Sequence, residues 1–127
     1  MLADPKTATI LATAFASGSK HDFQLFKEDQ TQVAEEIEIL ADAGYQGLGK
    51  LHANCQTPFK KSKYHPLTRT EKFRNRILAR QRILIEHIFR RLKVFRILNE
   101  RYRNRRKRFA LRFNLIAALY NLELNLL

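Results

Sequence analysis

The chain has 127 residues, 45% of them hydrophobic, which suffices for one domain with a buried core. It contains no stretch of the roughly 18 consecutive apolar residues that a membrane-spanning helix needs. Its N-terminus lacks the basic and apolar regions of a secretory signal. The single cysteine, Cys55, excludes an internal disulfide framework and favours a reducing compartment. We therefore expect a cytoplasmic protein that does not span a membrane.

Charge is divided unevenly along the chain. Residues 1–64 carry 7 Lys against 8 Asp and Glu, a net charge of −1, whereas residues 65–127 carry 17 Lys and Arg against 4 Glu, a net charge of +13. Such a concentration indicates a polyanionic partner. Nucleic acid is the leading candidate and an anionic membrane surface the second. The membrane is disfavoured because the last predicted helix carries its charge at one end and not along one face.

The first half of the chain predicts short strands and one short helix. A turn is expected at residues 4–6, followed by a strand over Ile10–Ala16. A short helix begins near Phe23, with Ser19 or Asp22 as its N-cap. Residues 37–41 predict a second strand that ends at Asp42, the glycines of DAGYQG force a turn, and residues 55–59 predict a third short strand.

The second half predicts two helices. Thr68-x-x-Glu71 has the form of a capping box, and no Gly or Pro interrupts the chain from there to about Leu98. One apolar stripe of this long helix comprises Phe73, Ile77, Leu84, Ile88 and Phe95. A last helix is expected from about Arg106 to Leu124, with a stripe of Phe109, Phe113, Ile116, Tyr120 and Leu124. The order of elements predicts an α/β fold.

A charged row lies nearly opposite the apolar stripe of the long helix. Arg82, Glu86 and Lys93 are spaced by four and seven residues, so their side chains lie above one another. An ordinary solvated Arg–Glu pair would show the same spacing. Against that interpretation, the only carboxylate of this row has the apolar neighbours Ile83, Ile85 and Phe89.

A second candidate carboxylate follows the predicted strand IEILA. Asp42 comes directly after it and before the glycine turn. In α/β sheets ligands collect beyond the carboxyl ends of the strands, where a carboxylate can hold a divalent metal. The alternative is a turn residue that caps the bend.

These two motifs together resemble a known family. ADAGYQG with Asp42, and Arg82-x3-Glu86-x6-Lys93, are similar to the second and third acidic motifs of bacterial insertion-sequence transposases of the DDE class, which have a ribonuclease-H-like catalytic domain. The likeness extends over most of the chain, through GSKHDFQLF, EKFRNRILARQRILIEHIFRRLK and RYRNRRKRFALRFNLIAALYNL. Some members have a tyrosine three residues before the arginine, where this chain has Ala79.

The resemblance implies DNA transposition by metal-dependent DNA cleavage and strand transfer, with association with the nucleoid. It implies that Asp42 and Glu86 are catalytic and bind Mg²⁺ or Mn²⁺, since hard divalent ions take carboxylate oxygens. Arg82 and Lys93 would contact DNA phosphates, or orient Glu86 and keep it ionised.

The same resemblance places a first catalytic aspartate upstream of the segment that begins this chain. We therefore expect residues 1–127 to be the C-terminal portion of an incomplete ribonuclease-H-like domain, with a few strands, a long catalytic helix and a C-terminal helix. On this expectation the isolated chain is inactive or nearly so. Its partners would be DNA and either the upstream transposase segment or a second protomer.

A dense basic run separates the two long helices. It combines basic side chains with the aromatic Tyr102 and is expected to contact DNA phosphates through Arg101, Arg103, Arg105, Arg106, Lys107 and Arg108. A solvated charge run is the ordinary alternative. Because such binding needs no carboxylate at positions 42 and 86, a non-catalytic basic nucleic-acid-binding protein remains the alternative function.

Overall fold

The computed structural model describes residues 1–29, 32–99 and 108–126, and it has the expected α/β composition. The chain divides into two compact units. Met1–Ser17 and Leu84–Leu127 form one, here called the terminal unit, and Gly18–Ile83 form the other, the central unit. The central unit is therefore inserted, in sequence, between the two parts of the terminal unit.

The terminal unit begins with a hairpin. Strands β1 (Leu2–Ala3) and β2 (Ile10–Ala12) pair antiparallel. The carboxylate of Asp4 accepts hydrogen bonds from the Lys6 backbone N–H at 2.9 Å and from the Thr7 hydroxyl at 3.0 Å, which confirms the predicted turn. The predicted strand over Ile10–Ala16 is too long, because its partner β1 has only two residues and the ladder ends at Ala12.

The hairpin packs against the C-terminal helix of the same unit, α4 (Phe109–Leu126). The buried core consists of Ile10, Ile88, Leu92, Ile116, Ala117 and Tyr120, with Phe113 and Leu124 packed against it. The predicted stripe of α4 is therefore confirmed. The rings of Phe109 and Phe113 also pack against Phe15, which follows the hairpin, with centroid distances of 5.9 and 5.3 Å.

Polar side chains of α4 complete the backbone hydrogen bonding of the hairpin. The Asn121 side chain accepts a hydrogen bond from the Ile10 N–H and donates one to the Ile10 carbonyl, both at 2.9 Å. The Tyr120 hydroxyl donates to the Ala8 carbonyl at 2.9 Å. The amide of Asn121 thus acts as one residue of a neighbouring strand would, which fixes α4 to β2.

The central unit contains a parallel strand pair and a short helix. β3 (Ile39–Leu40) pairs in parallel with β4 (Cys55–Gln56). Between them lie the 3₁₀ turns Ala43–Tyr45 and Leu48–Lys50. The helix α1 spans Asp22–Glu28, and its N-cap is His21 without a side-chain cap hydrogen bond. The predicted cap at Ser19 or Asp22 is wrong because Asp22 is already the first helical residue.

The long helix α2 spans Arg69–Leu92. Its capping box is confirmed: the Thr68 hydroxyl accepts from the Glu71 N–H at 3.2 Å, and the Glu71 carboxylate accepts from the Thr68 N–H at 2.8 Å. The predicted continuation to Leu98 is wrong. The N–H groups of Val94 and Phe95 bond to carbonyls three residues back, which tightens and ends the helix before α3 (Arg96–Asn99) begins.

The buried side of α2 differs between its two ends. Ile88 is buried and Leu84 packs against the core of the terminal unit, as predicted. Phe73 and Ile77 are instead 62% and 42% exposed, because the central unit covers the side of α2 that carries Leu78. Among the described residues, no helix is long and apolar enough to cross a membrane.

Candidate active site

Asp42 lies just beyond the carboxyl end of β3, and its side chain is exposed. Its Oδ1 accepts a hydrogen bond from the Gly44 N–H at 2.7 Å and so caps the first 3₁₀ turn. Its second oxygen has no hydrogen-bond partner among the described residues. The capping role that the sequence offered as an alternative is therefore present. It occupies one carboxylate oxygen and leaves the other accessible.

Two glycines shape the loop around Asp42. A Cβ at Gly44 would lie 3.0 Å from Asp42 Oδ1 and 3.7 Å from the Cε1 atom of His21, so any side chain there would displace the carboxylate. Gly47 has φ +91°, a left-handed conformation that disfavours other residues. The loop thus lies beside His21, the N-cap of α1, a proximity that the sequence did not predict.

Tyr45 is the aromatic anchor of this loop. It is half-buried, with ring centroids 5.7 Å from Phe23 and 6.2 Å from Phe26. Burial raises the pKa of Tyr45, and the negative charges of Asp22 and Asp42 raise it further because they oppose formation of a phenolate. The negative charge of Asp42, the candidate carboxylate, therefore acts on the ionisation of Tyr45.

We expect Asp42→Asn to lower the pKa of Tyr45, since removal of a nearby anion makes ionisation of the phenol easier. The pKa should stay above its ordinary value because burial and Asp22 remain. Ultraviolet absorbance of the phenolate, with Tyr45→Phe subtracted, measures the change. Glu35→Asn, which removes a different exposed acid of the same unit, is the control. If the pKa of Tyr45 is unchanged in Asp42→Asn, the electrostatic interaction between Asp42 and Tyr45 is absent.

The loop is connected to α2 through the residues that follow β4. The Gln46 amide donates to the Pro58 carbonyl at 2.9 Å. The Asn75 side chain accepts from the Phe59 N–H at 2.8 Å and donates to the Phe59 carbonyl at 3.0 Å. Asn75 thus ties the first half of α2 to the exit of β4. Sequence reasoning missed this role because an exposed-looking Asn on a helix gives no sign of its partner.

The candidate residues of α2 lie in two environments. Arg82, in the central unit, is partly buried, and its Nε has no hydrogen-bond partner among the described residues. Glu86 and Lys93 are exposed in the terminal unit, where they line one open groove of about 610 Å³ with Phe89, Arg90, Val94 and Asn99. The structure therefore brings Glu86 and Lys93 to a shared surface, and within the described part of the chain it leaves one donor of Arg82 unsatisfied.

The remaining candidates are the basic residues between the helices. Arg101, Arg103, Arg105, Arg106 and Lys107 lie outside the described residues, and Arg108 is exposed just before α4. Within the described part of the chain, no three His, Cys, Asp or Glu side chains form a group that could hold a metal ion.

Comparison with known proteins gives two matches. Residues 1–122 match the family model described as "Transposase DDE domain". The chain is also 48% identical over 121 residues to a "Probable transposase for insertion sequence element IS702" from Microchaete diplosiphon. That alignment covers 95% of this chain and 44% of the relative, so the chain spans less than half of the relative's length. No solved structure matches the chain.

Proposed function

Because the chain belongs to the transposase DDE-domain family, we propose that it acts in DNA transposition through Asp42 and Glu86. These residues would belong to a centre for divalent-metal-dependent DNA cleavage and strand transfer. The observation that carries the proposal is the carboxylate of Asp42, exposed beyond the carboxyl end of a parallel strand pair, where α/β folds bind ligands. The groove lined by Glu86 and Lys93 supports the proposal, because a carboxylate and an ammonium group are exposed there together.

The residues fit a hard divalent cation. Asp42 offers an oxygen without a hydrogen bond among the described residues, and Glu86 offers an exposed carboxylate, the donor type that Mg²⁺ and Mn²⁺ prefer. When bound, such ions stabilise the attacking and leaving oxygens of a phosphodiester displacement. Lys93 would bind a phosphate oxygen beside Glu86, and the guanidinium group of Arg82 would contact a second phosphate.

The ribonuclease-H-like architecture belongs to the same proposal, with residues 1–127 as the C-terminal portion of the domain. It is supported by the family match and by the order of the Asp42 and Glu86 motifs. A third carboxylate would come from a segment equivalent to the rest of the relative's length, in the same polypeptide or in a second one. DNA as the partner implies association with the nucleoid.

A cleavage assay tests this proposal. The chain is assayed alone, and also in a chimaera in which it replaces the aligned 121 residues of the Microchaete diplosiphon relative. The substrate is duplex DNA that carries the ends of the relative's insertion element. We expect Mg²⁺-dependent cleavage and strand transfer by the chimaera. Cleavage by the chimaera that persists when both Asp42 and Glu86 are replaced by amides would overturn the assignment of these residues.

The charge distribution favours one alternative, a basic protein that binds nucleic acid without catalysis. Residues 65–127 carry the whole positive excess of the chain. The same assay separates the two functions. A chimaera that binds DNA with ordinary affinity but never cleaves it, in either Mg²⁺ or Mn²⁺, would favour the alternative.

We expect DNA binding by the chain to depend strongly on salt and little on sequence. Five to eight phosphate contacts by the eight basic residues from Arg96 to Arg112 would give log K against log salt a slope of about −4 to −7. Replacement of Arg105, Arg106 and Arg108 by Ala should flatten that slope by about 2 to 3, measured by fluorescence anisotropy with a duplex of random sequence. An unchanged slope would show that this run is not a binding surface.

A further inference from the structure

A row of basic side chains occupies one face of the first three turns of α2. Arg69, Lys72, Arg76 and Arg80 are spaced by three, four and four residues, which at roughly 100° per residue places them within an arc of about 80°. All four side chains are exposed. We call these four residues the basic face of α2. It is distinct from the row of Arg82, Glu86 and Lys93 and from the basic run at residues 101–108.

The basic face points away from the interior of the central unit. Leu78, which is buried, lies about 160° from the centre of the basic face, and Asn75, which is bonded to the Phe59 backbone, lies about 100° from it. Among the described residues, the ion pairs are Lys20–Glu28 and Arg91–Glu123, and neither involves the basic face. Its four cations are therefore in solvent without a carboxylate partner in the described part of the chain.

This arrangement destabilises the helix that carries it. Cations near a helix N-terminus oppose the helix dipole. Lys72 and Arg76, and Arg76 and Arg80, are like-charge pairs at i, i+4, which repel each other. The only acid of this segment, Glu71, lies on the opposite side, and its carboxylate is used in the capping box. Acidic residues at the N-terminal positions of this face would make the helix more stable than the basic residues that are present.

We propose that the basic face of α2 binds the phosphate backbone of double-stranded DNA. The proposal deepens the proposed function and rests on it for the identity of the polyanion. The four positions extend over about 16 Å along the helix axis, the length of roughly five base pairs, so each cation can meet a separate phosphate. Lys and Arg contacts of this kind position the duplex without selecting its sequence.

The test uses the 127-residue chain and a duplex of random sequence, without divalent metal, followed by fluorescence anisotropy from 50 to 200 mM NaCl. The triple variant Lys72→Gln, Arg76→Gln and Arg80→Gln should flatten the slope of log K against log salt by about 2.7. Between 50 and 200 mM NaCl both chains lose affinity, and the factor lost by the triple variant should be roughly 40 times smaller than the factor lost by the native chain. Its melting temperature should not decrease, because the substitution removes repulsion.

A pair of single variants controls for total charge. Arg74 is exposed on the same helix but lies about 150° from the centre of the basic face. Arg76→Gln should flatten the slope by about 0.9, and Arg74→Gln should leave it unchanged. Equal effects of the two variants, or an unchanged slope in the triple variant, would overturn the proposal.

Two further outcomes identify the partner. If the triple variant loses binding to vesicles of phosphatidylcholine and phosphatidylserine but binds DNA like the native chain, the face binds membranes and the proposal is wrong. Because the assay contains no divalent metal, its result does not depend on metal binding by Asp42 and Glu86. If the basic face fails this test, the proposed function is unaffected, and the cleavage assay still tests it.

Discussion

Glu86→Gln in the chimaera is expected to reduce Mg²⁺-dependent DNA cleavage by more than about 100-fold. Loss of a group that merely orients a metal ligand already costs 10–100-fold, and the amide of Gln is a far poorer ligand than a carboxylate. DNA binding without metal should be equal or slightly tighter, because the substitution removes a negative charge beside Lys93. Cleavage rate and anisotropy, measured on the same preparation, separate the two effects.

Glu123→Gln is the matched control. Glu123 lies in the same unit as Glu86, and its carboxylate is 3.3 Å from an Arg91 nitrogen in an exposed ion pair of small energetic value. The control should cleave at nearly the native rate. A Glu86→Gln chimaera that cleaves as fast as this control would show that Glu86 is an ordinary surface acid.

Ile88→Ala is expected to lower the free energy of unfolding by about 2–5 kcal/mol. Ile88 is only 1% exposed and lies at the centre of the core formed by α2, β2 and α4, so its truncation leaves a cavity. Urea unfolding of the 127-residue chain, followed by circular dichroism, measures the difference.

Ile83→Ala provides the comparison on the same helix. Ile83 is 50% exposed, and Ala has the higher helix propensity, so this variant should change stability by less than about 1 kcal/mol. Equal losses in the two variants would mean that Ile88 does not contribute a packed core position.

The elements that the sequence predicted well are those whose signals are local. The capping box at Thr68 and Glu71 and the glycine turn after Asp42 depend on a few adjacent residues, and both are present. The stripe of α4 was also predictable, because all of its residues belong to one unit and most of them form or contact one core. The stripe of α2 was not, since Phe73 and Ile88 belong to different units and only one of them lies on a covered side.

The sequence proposes the residues of the candidate site but does not predict the contacts that support them. Asp42, Glu86 and Lys93 follow from spacing and from a resemblance. The proximity of Gly44 to His21 and the hydrogen bonds of Asn75 to Phe59 involve residues that are 16 or more positions apart. Such pairs leave no periodic pattern in one sequence. That Asp42 and Glu86 share one catalytic centre stays a prediction.

The pairing of Asn121 with the backbone of Ile10 has a consequence for synthesis of the protein. The two residues are 111 positions apart, so the hairpin leaves the ribosome long before the amide that completes its hydrogen bonds. At 5–20 residues per second, this interval lasts roughly 6–20 s. During that time β2 has no α4 to cover it, and its free N–H and C=O groups are open to other chains. Ordering of β2 thus waits for translation of α4.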